Sequence, residues 1–299
     1  MIDILIPNYN GASLLPSCLD ALRKQTRRDF TITVIDDGSS DDSLSLLEKD
    51  YPEVKVLALK ENKGFIEAVN AGIEATDGEI VVLLNNDTEV TPRWLEYLVG
   101  ALERYPSYDF ASSKMMLFDR RDHIHSTGDL YRLDGVPNSR GVWQRDRGQY
   151  DYVSAVFGPC AGAAAYRRSA LQLLAEDGKV FDPDLGMYCE DVDLNLRAWR
   201  QGIRTIYEPR AVVYHMLSAT GGGARASYGC GRNFILVWAK NLPSNLIKRH
   251  WPDLVLSQLG YLFHSIWHIR EPAARARIRG QLAGLRDLPT FIAKRAKIS

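Results

Sequence analysis

The chain has 299 residues, of which 45% are hydrophobic and 25% are charged. This composition is typical of a globular protein and excludes a disordered or collagen-like chain. At about 150 residues per domain, the length predicts two domains or one large α/β unit with an appendage. The net charge is zero, but residues 240–299 contain eleven Lys or Arg and three Asp or Glu, whereas residues 1–239 contain 26 and 34. A basic tail of +8 on an acidic body of −8 indicates two regions with different partners.

Strand and helix patterns alternate in the first hundred residues. Apolar, β-branched runs predict strands at 2–6, 30–35, 54–59 and 80–84. Apolar residues at helical spacing predict helices at 12–25, 42–50, 65–75 and 92–105. This alternation predicts a parallel sheet with helices on both faces.

The rest of the chain is mixed. Strands are predicted at 109–116 and 160–166, with hairpins and loops between them, and a helix is predicted at 191–200. Two short strands should then end at Tyr207 and Tyr214, followed by a mobile loop at Gly221–Gly223 that we expect to close over a bound ligand. From residue 227 the pattern is helical, with breaks predicted at Pro243, Pro252 and Pro272.

Three polar segments follow predicted strands. They are Asn8-Tyr9-Asn10, Asp36-Asp37-Gly38-Ser39 and Asn85-Asn86-Asp87. Ligands of open α/β sheets bind at the carboxyl ends of the strands, so these segments predict one site. The Asp87 carboxylate suits Mg²⁺ or Mn²⁺ held together with substrate phosphates. Each segment alone is also compatible with a turn or a helix cap.

Two later features could belong to the same site. Glu190, Asp191 and Asp193 stand together at a predicted helix start, where they either cap the helix or act as a general base on a hydroxyl. His215 follows a predicted strand and is either structural or a metal ligand. Neither a G-x-G-x-x-G dinucleotide motif nor a P-loop motif follows the first strand.

A series of short motifs runs in order along residues 1–240. The motifs are Ile6-Pro7-Asn8-Tyr9-Asn10, Ile35-Asp36-Asp37-Gly38-Ser39, Asn62-Lys63-Gly64-Phe65, Leu84-Asn85-Asn86-Asp87-Thr88-Glu89, Gly162–Arg168, Tyr188–Leu194 with Arg197, His215 and Arg232-Asn233. Their order and spacing resemble the family 2 glycosyltransferases, which have the GT-A fold. The resemblance implies that residues 1–240 form a GT-A nucleotide-sugar glycosyltransferase domain.

The resemblance also implies which residues bind a nucleotide-sugar donor. Pro7, Asp36 and Asp37 match positions that hold the nucleoside, and Asn62–Gly64 lie near the nucleoside and ribose. The full implied set is Pro7, Tyr9, Asn10, Asp36, Asp37, Asn62, Lys63, Gly64, Asn85, Asn86, Gly162 and Arg232.

Metal and catalytic roles follow from the same resemblance. Asn85-Asn86-Asp87 replaces the family's D-x-D motif, so Asp87 is implied as the main ligand of Mn²⁺ or Mg²⁺. His215 is implied as the second protein ligand. Asp191 is implied as the catalytic base, with Glu190 as the alternative.

The implied activity is that of an inverting hexosyltransferase. It would move a sugar from a dTDP- or UDP-sugar to a saccharide or lipid-linked acceptor. The Asn-Asn-Asp-Thr-Glu variant and Arg232-Asn233 are most similar to bacterial rhamnosyltransferase-type members that build surface polysaccharide.

Two other functions stay open. A sugar nucleotidyltransferase would carry a Gly-rich phosphate loop with Lys or Arg after the first strand, and residues 8–12 lack one. A non-catalytic sugar-nucleotide-binding or scaffold protein would be favoured by loss of Asp87, Asp191 or His215, all of which are present.

Residues 241–299 are expected to form a basic, amphipathic helical extension. It could be a cap that buries its apolar face on the domain, or a peripheral contact with an anionic membrane surface. No recognition motif for nucleic acid accompanies the charge, so we expect no nucleic-acid partner. The apolar run Leu254–Trp267 has fourteen residues, fewer than the roughly 20 that a spanning helix needs.

The cysteines and the amino terminus bear on location. The four cysteines are Cys18, Cys160, Cys189 and Cys230, and no two form a C-x-x-C pair. We therefore expect reduced thiols in a cytosolic protein. A strand-like run begins at Ile2 without a basic segment before it, so no signal peptide is expected. The expected location is cytoplasmic, and a tail that contacts the membrane would place the protein at the inner face of the plasma membrane.

Overall fold

The computed structural model describes residues 1–216 and 223–295. The strands are β1 (Ile2–Asn8), β2 (Phe30–Asp36), β3 (Lys55–Ala58), β4 (Ile80–Leu84), β5 (Thr88–Val90), β6 (Phe110–Leu117), β7 (Ile124–Ser126), β8 (Asp129–Tyr131), β9 (Pro137–Ser139), β10 (Ser154–Val156), β11 (Ala163–Arg167) and β12 (Thr205–His215). The helices are α1 (Leu15–Arg23), α2 (Ser43–Asp50), α3 (Phe65–Glu74), α4 (Trp94–Arg104), α5 (Arg168–Leu174), α6 (Glu190–Arg200), α7 (Gly223–Asn241), α8 (Ser244–Trp267) and α9 (Pro272–Arg295), with a 3₁₀ turn at Pro183–Leu185.

One sheet organises the chain, with the strand order β10-β12-β6-β11-β4-β1-β2-β3. β1 is parallel to β2 and β4, and β12 is parallel to β6. β11 runs antiparallel between β4 and β6, so β6 and β12 point the same way as β4. The carboxyl ends of these parallel strands therefore share one edge. Asn8 is paired with Asp36 at that edge, and His215 is paired with Thr88.

The central strands of the sheet are buried on both faces. Ile4 and Ile6 of β1 pack in one apolar layer with α1 and α4, while Leu5 packs in the opposite layer with α3 and α6. Successive strand residues point to opposite faces, so a continuous apolar run supplies both layers. The predicted α/β sheet of mostly parallel strands, covered by helices on both faces, is confirmed.

Two local predictions were wrong. The two short strands expected near Tyr207 and Tyr214 form the single strand β12, whose pairing with β6 shifts between Glu208 and Val212. Pro252 does not break the helix but lies inside α8. Pro252 and Lys248 are both exposed, so water can solvate the carbonyl group that proline leaves without a donor. Helix boundaries at Pro243 and Pro272 are confirmed.

The C-terminal helices differ in how they pack. α9 lies closely against α7: a Cβ atom placed on Gly280 would stand 2.2 Å from the Tyr228 carbonyl oxygen. Phe291 of α9 is buried, whereas much of α8 is exposed. The division of the chain at residue 240 stays a prediction. Within residues 1–216 and 223–295, no helix is long and apolar enough to cross a bilayer.

Two other sequence expectations concern the mobile loop and the cysteines. Gly221 and Gly222 of the predicted loop lie outside the described residues, and Gly223 is the first residue of α7. All four cysteines are unpaired thiols, with Cys18 and Cys189 buried.

Candidate active site

The loops after β1, β2 and β4 are joined by a hydrogen-bond network at the carboxyl edge. Asn8 donates from Nδ2 to Asp36 Oδ1 at 2.9 Å and accepts at Oδ1 from Asn86 Nδ2 at 2.8 Å. Asp36 also accepts from the backbone and hydroxyl of Ser39. The Asp36 side chain is therefore buried and paired within the protein, and it fixes the three loops relative to one another.

Asp37 connects this network to the segment before α3. Its two oxygens accept hydrogen bonds from the backbone N–H groups of Lys63, at 2.7 Å, and Gly64, at 2.8 Å. Gly38 has a φ of +69°, and a Cβ atom there would stand 2.8 Å from the Asn62 nitrogen. A glycine is required for this approach. Burial raises the pKa of Asp37, and the two backbone donors only partly offset that effect.

The other predicted donor-binding residues surround the network. Tyr9 is 46% exposed and Pro7 is partly buried. Asn10 has a left-handed φ of 50°, and its side-chain oxygen accepts from the Ser40 backbone at 2.8 Å. Asn62 and Lys63 are exposed on the adjacent segment. This edge is thus a partly open surface built on buried polar groups.

The predicted metal ligands meet at the same edge. Asp87 Oδ1 lies 3.1 Å from His215 Nε2. This oxygen is buried and accepts no hydrogen bond from any described residue. His215 Nδ1 lies 3.1 Å from His125 Nδ1, and the two rings are tilted by 32°. Burial, and then the proximity of His215, lower the pKa of His125 to about 3, so His125 is neutral.

These groups fit a divalent cation. An unpaired carboxylate oxygen beside an imidazole nitrogen offers two ligands, and the cation would take the others from phosphate or water. A neutral His125 can accept a hydrogen bond from His215 Nδ1–H, which leaves the lone pair of His215 Nε2 facing Asp87. No cluster of three His, Cys, Asp or Glu suited to a metal occurs among residues 1–216 and 223–295.

Residues 158–162 connect this edge to a second group of carboxylates. Gly162 accepts at its carbonyl oxygen from the Asn85 nitrogen at 2.9 Å, and Ala161 donates its N–H to Asp191 Oδ2 at 3.3 Å. Gly158 accepts from the Asp129 nitrogen at 2.8 Å. Residues 158–162 thus link the loop that carries Asp87 to the carboxylates Asp129 and Asp191.

Asp129, Glu190 and Asp191 form the carboxylate cluster. Asp191 accepts from the Ala161 and Val192 backbones, and Asp129 accepts from Asn195 Nδ2 at 3.2 Å. Glu190 Oε2 is buried without a hydrogen-bond partner in the described part of the chain. Burial, followed by the charge of Asp191, raises the pKa of Glu190 to about 8. Burial also raises the pKa values of Asp191 and Asp129. A raised pKa makes a carboxylate a stronger proton acceptor, which is the property that a general base uses.

The turn before α6 orients the side chains of Glu190 and Asp191. Tyr188 and Cys189 both have left-handed φ angles, of 72° and 64°, a conformation that costs about 1–3 kcal/mol per non-glycine residue. Asn233 of α7 stabilises the turn by donating from Nδ2 to the carbonyl oxygens of residues 185, 187 and 188.

Arg232, predicted to bind the donor, contacts Asp287 at 2.8 Å and the carbonyl oxygens of residues 184 and 185.

Comparison with known proteins identifies the family. The model for "Glycosyl transferase family 2" matches residues 3–174, which is more than half of the chain. The chain belongs to glycosyl transferase family 2.

Curated relatives of this family 2 protein have varied names. The chain is 38% identical over 111 residues to an undecaprenyl-phosphate 4-deoxy-4-formamido-L-arabinose transferase of Pseudomonas fluorescens, covering 34% of this chain and 32% of that protein. It is 27% identical over 222 residues to an N-acetylglucosaminyltransferase of Sinorhizobium fredii, covering 71% and 52%. The chain thus spans about a third to a half of these relatives. It is 26% identical over 239 residues to the uncharacterised glycosyltransferase YwdF of Bacillus subtilis, covering 77% and 80%.

Solved structures confirm the GT-A-like fold. The mannosyltransferase PcManGT of Pyrobaculum calidifontis, solved with GDP-Man and Mn²⁺, aligns with a TM-score of 0.58 at 18% identity, covering 99% of this chain and 84% of that one. TarS of S. aureus, residues 1–349 with UDP, aligns with a TM-score of 0.59 at 18% identity, covering 100% and 92%. At these identities the similarity concerns the fold alone.

Sequence reasoning missed two members of the candidate site of this family 2 protein, His125 and Asp129. Both lie between residues 117 and 155, where the sequence indicated only hairpins and loops. His125 lies on β7 beside β6, and Asp129 lies on β8, so neither follows a strand of the parallel sheet. The I-H-S and G-D-L contexts carry no spacing that links them to Asp87 or Asp191, so only the fold brings them there.

Proposed function

We propose that this chain is an inverting, metal-dependent glycosyltransferase that moves a sugar from a nucleotide-diphosphate donor to an acceptor hydroxyl. The observation that carries the proposal is the buried Asp87 Oδ1, which accepts no hydrogen bond from the described residues and lies 3.1 Å from His215 Nε2 at the carboxyl edge of the sheet. A donor carrying a diphosphate needs positive charge at that point when its leaving group departs.

Asp87 and His215 would hold the divalent cation, Mn²⁺ or Mg²⁺, and the bound cation would offset the charge that develops on the leaving diphosphate. The imidazole ligand favours Mn²⁺, since Mg²⁺ prefers oxygen ligands. The nucleoside would lie over the loops that Asp36 and Asp37 fix, with Pro7, Tyr9 and Asn62–Gly64 around it. Asn85, Asn86 and Gly162 would lie nearer the ribose and sugar.

Asp191 is proposed as the catalytic base. Its two oxygens are oriented by the backbone N–H groups of Ala161 and Val192, so it can face an acceptor hydroxyl without rearrangement. As the acceptor oxygen bonds to the anomeric carbon, the bond from that carbon to the diphosphate oxygen breaks, and the hydroxyl proton passes to the carboxylate. A single displacement inverts the anomeric centre and needs no enzyme nucleophile. Glu190, whose Oε2 has no hydrogen-bond partner in the described part of the chain, is the alternative base.

The donor is proposed to be a dTDP- or UDP-sugar, with rhamnose as the first sugar to test. The acceptor is proposed to be a saccharide or a lipid-linked sugar in bacterial surface polysaccharide or glycolipid assembly. The name of the Pseudomonas fluorescens relative, an undecaprenyl-phosphate 4-deoxy-4-formamido-L-arabinose transferase, includes a lipid phosphate. That name supports a lipid-linked acceptor.

A thermal-shift screen tests donor and cation together. A ligand that binds only the folded state raises the melting temperature, by an amount equal to about 2.7 kcal/mol of stability at 100 times Kd. We expect a UDP- or dTDP-sugar to stabilise the wild type strongly with Mn²⁺ and weakly with EDTA. Asp87→Ala should lose the Mn²⁺-dependent part. The matched control is Asp77→Ala, which removes an exposed carboxylate before β4, away from the site. An equal shift in Asp87→Ala and Asp77→Ala would contradict the metal assignment.

A further inference from the structure

Helix α8 has one face that packs on the protein. Ser257 donates to the Asp134 carbonyl oxygen at 2.8 Å, and Gln258 accepts from Gln281 of α9 at its carbonyl oxygen at 2.9 Å. Tyr261 contacts Phe234 of α7 edge-on. Ser265 is buried. These contacts hold the helix in one orientation and leave the opposite face outside.

The outer face of α8 is apolar. Its exposed large side chains, with their exposed fractions, are Trp251 (56%), Val255 (43%), Leu256 (67%), Leu259 (41%), Phe263 (66%), Ile266 (52%) and Trp267 (86%). They recur every three or four residues, which is the spacing of a single helix face. Between Trp251 and Trp267 the only charged residue of the sequence is Asp253. A contiguous exposed apolar face of this kind marks an interaction surface.

Basic residues stand at both ends of this face. Lys248 and Arg249 precede Trp251 by less than one turn, and Arg270 follows Trp267 by three residues, in the turn after α8. All three are exposed. Residues 240–299 carry the chain's +8 of net charge, opposite to the −8 of the body. The surface is therefore apolar in the middle and positive at its ends.

We infer that the outer face of α8 binds the surface of an anionic lipid bilayer. Aromatic and aliphatic side chains enter the region between headgroups and acyl chains, while Lys and Arg contact the anionic headgroups. The charge pattern disfavours a second copy of this chain as the occupant. Both ends of the face are basic, so parallel or antiparallel pairing of two α8 helices would bring like charges together.

The position of α8 connects the bilayer to the candidate active site. α8 packs on the turn between β8 and β9, where Ser257 contacts Asp134 and Leu254 lies against Gly135. β8 begins with Asp129, a member of the carboxylate cluster. A bilayer on the outer face of α8 would thus lie one hairpin away from the proposed base. Resting on the proposed function, this arrangement assigns the acceptor to the lipid-linked class.

The test is sedimentation of the full chain with vesicles of phosphatidylcholine alone or with added phosphatidylglycerol. The anionic vesicles should retain the protein at low salt and release it at high salt. A triple variant, Leu256→Ser with Phe263→Ser and Trp267→Ser, should lose at least about tenfold in affinity because the apolar contact drives insertion. Removing Lys248 and Arg249 by substitution with Gln should cost about fivefold per charge.

The matched control carries Leu44→Ser, Leu173→Ser and Trp199→Ser, which removes exposed apolar side chains from the body of the chain. It should bind vesicles like the wild type. Lipids brominated near the headgroup should quench tryptophan fluorescence, and Trp267→Phe should reduce that quenching.

Three results would overturn the inference: no retention by anionic vesicles, equal retention by neutral ones, or equal loss in the control variant. A dimer in equilibrium sedimentation that the α8 triple variant dissociates, without vesicle binding, would assign the face to a second copy. The donor-induced thermal shift is measured without lipid. Failure of membrane binding with an intact thermal shift would reject this inference and leave the proposed function standing.

Discussion

Two carboxylates on one helix, Asp191 and Asp193, have opposite surroundings. Asp193 contacts Arg197 at 2.9 Å, Lys240 at 3.0 Å and Asn241 at 2.7 Å. These partners outweigh burial and lower the pKa of Asp193 to about 2. Asp191 accepts from the Ala161 and Val192 backbones, and Glu190 Oε2 has no hydrogen-bond partner among the described residues. Burial raises the pKa values of both groups.

The comparison separates two uses of a buried carboxylate. A carboxylate with bonded cations is fully satisfied, so it can tie α6 to α7 but cannot take up a proton near neutral pH. A carboxylate with backbone N–H partners alone keeps its affinity for a proton. Residue type and helix position are nearly the same for both groups, so the difference comes from the partners that tertiary structure supplies.

The largest expected effect is on catalysis. Asp191→Asn should keep donor binding and lower the transfer rate by about 10²–10⁴-fold, the usual contribution of a general base. Because it removes a charge whose burial is unfavourable, it should leave the free energy of unfolding unchanged or increase it. Transfer assays and urea unfolding measure the two quantities. If Glu190→Gln abolishes transfer while Asp191→Asn does not, Glu190 is the base.

Asp193→Asn should lower stability and leave transfer intact, the reverse of what is expected for Asp191→Asn. Breaking one partner of a buried ion pair costs about 3–5 kcal/mol. We expect the lower end, because Lys240 keeps its contacts with Asp182, at 2.9 Å, and Glu176, at 2.8 Å. The variant should lose stability in urea unfolding and retain transfer under conditions where it is folded. Unchanged stability would contradict a structural role for Asp193.

A smaller effect is expected on metal affinity. His125→Ala should weaken Mn²⁺ binding, measured by calorimetry, by about 10–100-fold, the usual effect of losing the group that orients a histidine ligand. His125→Asn retains a side-chain acceptor and should recover part of the affinity. His123→Ala is the control, because His123 contacts Asp122 and not His215. Equal losses in His123→Ala and His125→Ala would show that the β7 region affects binding only through stability.

The sequence predicted the groups that follow parallel strands. Asn8, Asp36 and Asp87 stand at strand ends, and a parallel sheet must bring such ends to one edge. The sequence could not predict that Asp191 and Asp193 differ, because Lys240 approaches from 47 positions away on a helix whose packing has no local signal. The sequence did not predict His125 and Asp129 as site residues for the same reason. The helical pattern of the tail was visible, but the division between a packed α9 and an exposed α8 depends on tertiary contacts.

The change in stability per pH unit is the smallest expected effect, and the two environments predict opposite slopes of stability against pH. The folded pKa of Glu190 is raised from 4.5 to about 8, so its contribution to stability is complete below 4.5 and is lost as the pH rises through that window. The folded pKa of Asp193 is lowered from 3.8 to about 2, so its contribution is complete above 3.8 and is lost as the pH falls towards 2. Each group contributes at most about 1.4 kcal/mol per pH unit.

Urea unfolding across the pH range should therefore show stability falling at both ends. Glu190→Gln should flatten the decline in stability between pH 4.5 and 8 without removing it, because the pKa values of Asp129 and Asp191 are also raised. Asp193→Asn should flatten the acid decline. Glu48→Gln, an exposed change on α2, should alter neither slope. If Glu190→Gln leaves the slope between pH 4.5 and 8 as it is in the wild type, burial of Glu190 does not oppose its ionisation. The contrast between Asp193 and the Glu190–Asp191 pair then fails.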